Sequence, residues 1–523
     1  MITLLDYGAG NVRSVINAIE HLGGSVRVAE RAEDIASAEN LVFPGVGAFG
    51  SMMERLHAAG FVAPLKAYLQ SGRPFLGICL GMQALFNASD ESPGIPGLGL
   101  FNGTVRRFAT GLAVPHMGWN NIRIRQASPL FAGLRGDEKF YFVHSYHVTA
   151  DNPEEILTTT DYDYSFVSAV QRGAIVATQY HPEKSGAAGL QLLRNFLAAG
   201  TAPVCPPCPE GPTRLAKRII ACLDVRANDQ NDLVVTKGDR YDVREAGAVR
   251  NLGQPVALAR AYYEDGADEI TFLNITGFRD FPLEDMPMLA VLKETSRRVF
   301  VPLTIGGGIR DYTDVHGRHH DALAVAAEYF RSGADKISIG SDAVDIAETY
   351  LQRGRATGDS AIEQISRVYG SQAVVISIDP RRVYVATPDE VPHHVLQTAI
   401  PGPRGERYCW YQCTVKGGRE GRPIDAVTLA RVCQQLGAGE ILLNCIDRDG
   451  TRDGFDIELI DAVKKAVRIP VIASSGAGSA AHFLEVFTRT GTEAALAAGI
   501  FHRRELSIQE VKGFLADKVE IRR

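Results

Sequence analysis

Up to about residue 200 the chain alternates short apolar runs with amphipathic stretches. ITLLDYG (2–8), LVFPGV (41–46) and PFLGICLG (74–81) are near-continuous apolar runs that break at glycine, the pattern of strands buried on both faces. Between the first two, VRSVINAIEHLG (12–23) carries apolar residues at helical spacing and stops at glycine. This alternation predicts an α/β domain, an open, largely parallel sheet with flanking helices, over residues 1–200. The periodicity then stops. Residues 198–216, AAGTAPVCPPCPEGPTRLA, hold five prolines and read as a stiff tether, with the linker proper at 201–216.

From residue 217 to 523 a longer alternation carries an internal repeat. IIACLDVR (219–226) matches VVISIDPR (374–381), and GADEITFLNIT (266–276) matches GAGEILLNCID (437–447). VPLTIGGGI (301–309) matches IPVIASSGAG (469–478), and GADKISIG (333–340) matches GTEAALAAG (491–499). The pairs keep their order at an offset of about 155–170 residues. Four strands per half, with helical segments such as AIEQISRVYG between them, predict a (β/α)₈ barrel of two similar halves.

Composition adds exclusions. A net charge of −6 argues against a basic nucleic-acid surface. No apolar run of about 18 residues occurs, so no membrane-spanning helix is expected. The opening MITLLDYGAG lacks the layout of a signal peptide, and eight scattered cysteines form no disulfide framework, so a reducing, cytoplasmic setting is expected. Cys205 and Cys208 have redox-motif spacing but lie in the tether, without the βαβ context such a site needs. The pairs His319-His320 and His393-His394 sit in polar insertions and read as solvated loops, and no metal is expected.

Candidate chemistry starts at Cys79. Gly77-Ile78-Cys79-Leu80-Gly81 stands where a strand turns into a helix, the layout of a nucleophile elbow. There the backbone N–H of the following residue can face an oxyanion. A thiol nucleophile needs a base, and the base an orienter. TQYHPEKS supplies both in His181 and Glu183, two apart on a strand-like segment and so on one face. GVGAFG (45–50) matches a dinucleotide fingerprint formally, but no ribose-binding carboxylate follows at the required distance, so no nicotinamide cofactor is expected.

GICLGMQ, YHPEKS and the opening LLDYGAGN resemble the class I glutamine amidotransferases. The resemblance implies that Cys79 attacks the amide carbon of glutamine, forms a thioester and releases ammonia, with His181 as base and Glu183 as orienter. It places Leu80 and the PGVGAFG strand end (Val46, Gly47) at the oxyanion, and Gln83 beside the substrate.

In such barrels chemistry sits at the C-terminal strand ends. Asp224 and Asp379 end the first strand of each half and would face one another across the mouth, as an acid–base pair. Glycine-rich strand ends, IGGGIR (Gly307, Gly308) with IGSD (Gly340, Ser341) and SSGAG (Gly476, Gly478) with LAAGI (Ala498, Gly499), form two equivalent clusters suited to phosphate. The substrate is therefore expected to be long and to carry a phosphate at each end. With RIIACLDV, GGGIRD, GADKISIG, NCIDRDGT (with Asp449 and Gly450) and IASSGAG, essentially the whole chain resembles the imidazole glycerol phosphate synthase family in its single-chain, eukaryote-type form. That resemblance implies L-glutamine and the bisphosphate PRFAR as substrates, imidazole glycerol phosphate and the ribotide AICAR as products, and no cofactor. It also implies that Lys237 reaches over the substrate. The chain departs from many separate cyclases at Asn274, where they carry aspartate, and by the insertion 384–423.

Arg218 lies six residues before Asp224 on the same face and points into the barrel lumen at its far end. Glu269, Lys336 and Glu440 hold comparable strand-start positions, so the four can close a charged ring at the barrel bottom, either a gate for ammonia or a plain ionic seal. The resemblance favours the gate, and a contact of Lys184 with Asp335 between the domains. A monomer is expected. The competing readings are a phosphosugar isomerase barrel regulated by an inactive amidotransferase domain, and a non-catalytic binder of phosphorylated metabolites.

Overall fold

A computed structural model describes residues 1–8, 10–198, 205–206, 211–228, 233–236, 244–245, 248–249, 251–275, 283 and 286–523. In the N-terminal domain five parallel strands stand in the order β2-β1-β3-β4-β5: β1 (Ile2–Leu5), β2 (Val26–Ala29), β3 (Asn40–Gly45), β4 (Phe75–Cys79) and β5 (Ile175–Thr178). β1, β4 and β5 are buried along their whole length, as continuous apolar runs require. Beyond β5 the sheet continues antiparallel through Tyr164–Arg172, Tyr146–Ala150 and Gly103–Arg107. This half of the sheet differs from the parallel pattern because residues 103–172 contain no crossover α-helix, and strands joined by short turns pair antiparallel.

The second domain is a closed barrel of eight parallel strands: β6 (Arg218–Ala227), β7 (Glu269–Asn274), β8 (Leu303–Gly306), β9 (Lys336–Ile339), β10 (Val374–Ile378), β11 (Glu440–Asn444), β12 (Val471–Ser474) and β13 (Ala494–Ala497). Closure comes from β13 pairing back on β6, with Ala494 opposite Arg218. The insertion after β10 folds as its own four-stranded antiparallel sheet, from Pro380–Val385, Val395–Gln397, Tyr408–Val415 and Glu420–Asp425. His393 stacks on Trp410 within it, at 3.9 Å between ring centroids. His320 lies in a short hairpin and approaches Asp314 at 3.1 Å. These two histidines are thus structural partners rather than parts of solvated loops.

The domains are tied at several points. Trp119 Nε1 donates to the Asp268 carbonyl at 3.0 Å while the Arg522 guanidinium covers the same indole at 4.1 Å. Cys205 exchanges backbone hydrogen bonds with Ser128, both at 3.1 Å, which fastens the tether to the first domain. Cys208 lies outside the described residues.

Candidate active site

Cys79 is the last residue of β4 and adopts φ 54°, ψ −107°, a left-handed conformation costly for a side chain with a Cβ and the strain an elbow requires. The glycines around it are sterically necessary: a Cβ on Gly81 would lie 2.0 Å from the Phe43 carbonyl oxygen. His181 Nδ1 binds Glu183 Oε1 at 2.8 Å. The linking segment is not extended, as the alternation suggested, but a single 3₁₀ turn over Pro182–Lys184, with proline at its first position. Burial pulls the His181 imidazole down, but the nearby Cys79 and Glu183 outweigh it and hold the ring well above its ordinary value. Its Nε2 is buried and accepts or donates no hydrogen bond among the described residues.

Two further side chains that the structure brings to this site carried no clear sequence signal. Gln179 Nε2 donates to Cys79 Sγ at 3.4 Å, and its Oε1 accepts from Gln83 Nε2 at 3.0 Å. It stands two residues before His181, so only the motif around the histidine could have drawn attention to it. Glu91 shares a narrow cavity over Cys79 with Val46, Gly47, Gln83, Ser145 and Gln372, the last contributed by the barrel domain. Burial raises the Glu91 carboxyl above its ordinary value, against a 2.8 Å hydrogen bond from the Phe49 N–H that lowers it. Leu80 and Gly47 stand beside Cys79 as expected, through the register that places Gly45 opposite Cys79. Val46 differs: its N–H donates to Tyr7 Oη at 3.0 Å and its carbonyl accepts from the same hydroxyl at 2.5 Å. The second oxyanion donor expected from Val46 is therefore already taken in this arrangement.

At the barrel mouth Asp224 lies near the end of β6 and Asp379 directly after β10, the first and fifth strands of eight and hence opposite one another. Asn444 Nδ2 donates to Asp379 Oδ1 at 2.8 Å, and Thr414 donates to its carbonyl through both N–H, at 3.1 Å, and Oγ1, at 2.6 Å. Burial pushes the Asp379 carboxyl up and Asp449 adds to it, while hydrogen bonds from Asn444 and Ser377 act the other way, and the net shift is upward. Asn444 was legible in principle, since it lies four residues after Glu440 on one strand and so shares its lumen-facing side. Thr414, on the inserted sheet, was not.

The glycine clusters line up at the same end. Gly307 and Gly308 take φ 92° and 79°, and a Cβ on Gly307 would lie 2.3 Å from the Asn274 carbonyl oxygen. Gly340 caps the helix Ser341–Arg353, and the Ser341 hydroxyl accepts from the Lys416 N–H of the insertion at 3.1 Å. In the second half Gly450 and Gly476 have φ 73° and 94°, Gly478 approaches Arg452, and Ala498 with Gly499 opens the short helix Gly499–His502. Asp449 follows the 3₁₀ turn Ile446–Arg448. Lys237 lies outside the described residues.

The class-I glutamine amidotransferase family model matches residues 3–199, and the model for histidine biosynthesis proteins matches residues 218–507. The imidazole glycerol phosphate synthase hisHF, chloroplastic, of Arabidopsis thaliana is 57% identical over 530 residues, covering 100% of this chain and 89% of that protein. The imidazole glycerol phosphate synthase hisHF of Schizosaccharomyces pombe is 53% identical and covers 99% of this chain and 98% of its own length. This chain belongs to the imidazole glycerol phosphate synthase family. It is the single-chain form, an enzyme of histidine biosynthesis with glutamine amidotransferase and cyclase activities. The subunit HisF of Methanobrevibacter smithii is 40% identical over 304 residues, 58% of this chain and 97% of that protein, and so corresponds to the barrel domain alone.

Four charges close the bottom of the barrel, the end opposite the paired aspartates. Arg218 binds Glu269 at 2.9 Å and Glu440 at 2.5 Å, and Lys336 binds both glutamates at 2.6 Å. All four side chains are at most 1% exposed. Lys336 Nζ also lies 3.7 Å from Met117 Sδ of the amidotransferase domain, so the ring faces that domain directly. Lys184, next to Glu183, binds Asp335 at 2.6 Å across the same contact. With two cations and two carboxylates fully desolvated, removing one cation leaves buried charge uncompensated. Arg218→Ala is expected to destabilise the barrel by about 3–5 kcal/mol. A fall in melting temperature on the order of 10 °C by calorimetry would register it, and an unchanged melt would refute a tightly coupled ring.

Proposed function

We propose that Cys79, activated by His181, attacks the amide carbon of L-glutamine, and that the ammonia released travels through the barrel to react with PRFAR at its mouth. His181 takes the thiol proton and later gives it to the departing ammonia, and water then hydrolyses the thioester to glutamate. Glu183 holds the imidazole through Nδ1, leaving Nε2 for the thiol. The Leu80 N–H supports the oxyanion, Gln179 and Gln83 position the thiol and the amide, and Glu91 takes the substrate's α-ammonium group. At the mouth Asp379, whose carboxyl is shifted upward, supplies protons, and Asp224 accepts them. The two glycine clusters hold the two phosphates, Gly307, Gly308, Gly340 and Ser341 on one side, Gly476, Gly478, Ala498 and Gly499 on the other. The ring of Arg218, Glu269, Lys336 and Glu440 gates the passage, and a monomer suffices because both domains are in one chain.

The observation that carries this reading is the buried His181, oriented by Glu183 and with a free Nε2, beside a thiol on a strained elbow. Following PRFAR by absorbance with glutamine, and separately with ammonium at alkaline pH, tests it. PRFAR should disappear under both conditions. Persistence of PRFAR in both would sink the proposal, and turnover with ammonium alone would sink the amidotransferase half.

A further inference from the structure

Two buried histidines beside the elbow have no part in the chemistry above. His116 opens the strand His116–Asn121, which pairs antiparallel with Lys139–His144 so that His116 stands directly opposite His144. His116 is 0% and His144 3% exposed, and His144 also lines the cavity over Cys79. His116 Nδ1 and His144 Nε2 lie 3.1 Å apart, and their neighbours fix where the protons sit. His144 Nδ1 faces the Tyr146 carbonyl at 2.7 Å, so it carries a hydrogen. Asn120 Nδ2 donates to the Asp161 carbonyl at 3.1 Å, which orients its amide, and gives its second hydrogen to His116 Nε2 at 3.3 Å. His116 Nε2 is therefore bare, and the one proton of the neutral ring sits on Nδ1 and points at His144 Nε2. Burial keeps both rings neutral: it holds His116 well below its ordinary value and pulls His144 down to about 3. The titratable groups facing the pair are His147, His181 and Tyr162, and those facing the thiol are His181, Tyr7 and Glu91.

The hydrogen bonds continue from this pair to the nucleophile. The Tyr146 carbonyl that accepts from His144 also accepts from Gln83 Nε2 at 3.0 Å. The other Nε2 hydrogen of Gln83 goes to Gln179 Oε1 at 3.0 Å, which turns Gln179 Nε2 toward Cys79 Sγ at 3.4 Å. An N–H aimed at sulfur favours the thiolate over the thiol. Each group in this chain has its partner, so reversing one tautomer or one amide would set donor against donor or acceptor against acceptor.

We infer that His116 and His144 are positioning residues whose fixed protons hold Gln83 and Gln179 in the orientation that aims an N–H at the Cys79 sulfur. The inference rests on the reading of Cys79 as the nucleophile. Asparagine places an amide where histidine has Nδ1, and glutamine places one near Nε2, so two variants of equal polarity separate the roles of the ring nitrogens. In the full-length chain at pH 7, iodoacetamide should alkylate Cys79 about fivefold more slowly in His116→Gln, the factor one net hydrogen bond supplies. The Cys79 peptide, followed by mass spectrometry, gives that rate, and kcat/KM for glutamine hydrolysis should fall by the same factor. His116→Asn keeps the donor toward His144 and should react within about twofold of wild type. Ammonium-driven consumption of PRFAR should match wild type in both variants, which shows that the barrel is folded. Gln179→Leu removes the last donor directly, so adding His116→Gln to it should slow alkylation no further. Wild-type alkylation in His116→Gln, equal slowing in His116→Asn, or factors that multiply in the double variant would each overturn the chain. Should His116→Gln melt early, nitrogen-15 spectra of the wild-type chain decide. One proton shared between the rings gives a nitrogen–nitrogen coupling from His116 Nδ1 to His144 Nε2, and a doubly protonated His144 overturns the assignment. Glutamine hydrolysis that persists after complete alkylation of Cys79 would instead remove Cys79 as the nucleophile, whatever the alkylation rates.

Discussion

Cys79→Ala is expected to lower glutamine-driven consumption of PRFAR by at least about 10⁴-fold, the scale on which losing a nucleophile disables a catalytic triad. The substitution should hardly disturb the fold, because it removes one sulfur from a residue that already stands on a glycine-flanked turn. Ammonium at alkaline pH should restore turnover to the wild-type ammonium-driven rate, since free ammonia reaches the mouth without the amidotransferase. That contrast separates chemistry at Cys79 from damage to the barrel. Were glutamine-driven turnover to persist, Gln179 and His181 would be framing an inert thiol.

Asp379→Asn should act at the other end of the enzyme and regardless of the nitrogen source. Loss of a positioned proton donor typically removes a factor of about 10²–10⁴ in rate. Turnover of PRFAR should fall by that factor with glutamine and with ammonium alike, while hydrolysis of glutamine without PRFAR stays within about twofold of wild type. The pH dependence follows from the sign of the shift. Burial, helped by Asp449, raises the Asp379 carboxyl, so its proton is held to higher pH than an ordinary carboxylate allows. A general acid works below its own pKa, so the wild-type rate at constant free ammonia should decline as pH rises through that raised value. The Asp379→Asn variant should lack that limb. A variant that loses activity only with glutamine would place Asp379 in coupling and not in proton transfer.

How far the sequence reached differs between the two sites. The four ring residues were legible because each opens a strand of the repeat, and strand parity decides which side chains enter the lumen. The reciprocal pairing that closes them was not, since it depends on how far the strands are staggered around the barrel. His181 and Glu183 were found by spacing, yet the extended segment assumed for them is a 3₁₀ turn, because Pro182 fits the first position of such a turn. Glu91, in an irregular loop with no periodicity, gave nothing to read.

The sequence by itself determined the layers, the twofold repeat of four strands that makes the barrel, the elbow cysteine with its histidine and glutamate, and the paired aspartates. These depend on local periodicity, on turn chemistry and on repetition, all written within a few residues of each position. Only the tertiary structure decided that Gln179 reaches Cys79, that Thr414 and Asn444 hold Asp379, and that Tyr7 occupies the Val46 peptide. Each of those joins segments 35 to 100 residues apart. Periodicity states which face of an element is buried, but the partner it meets there, and the way a peptide group turns, are set by packing against the rest of the chain.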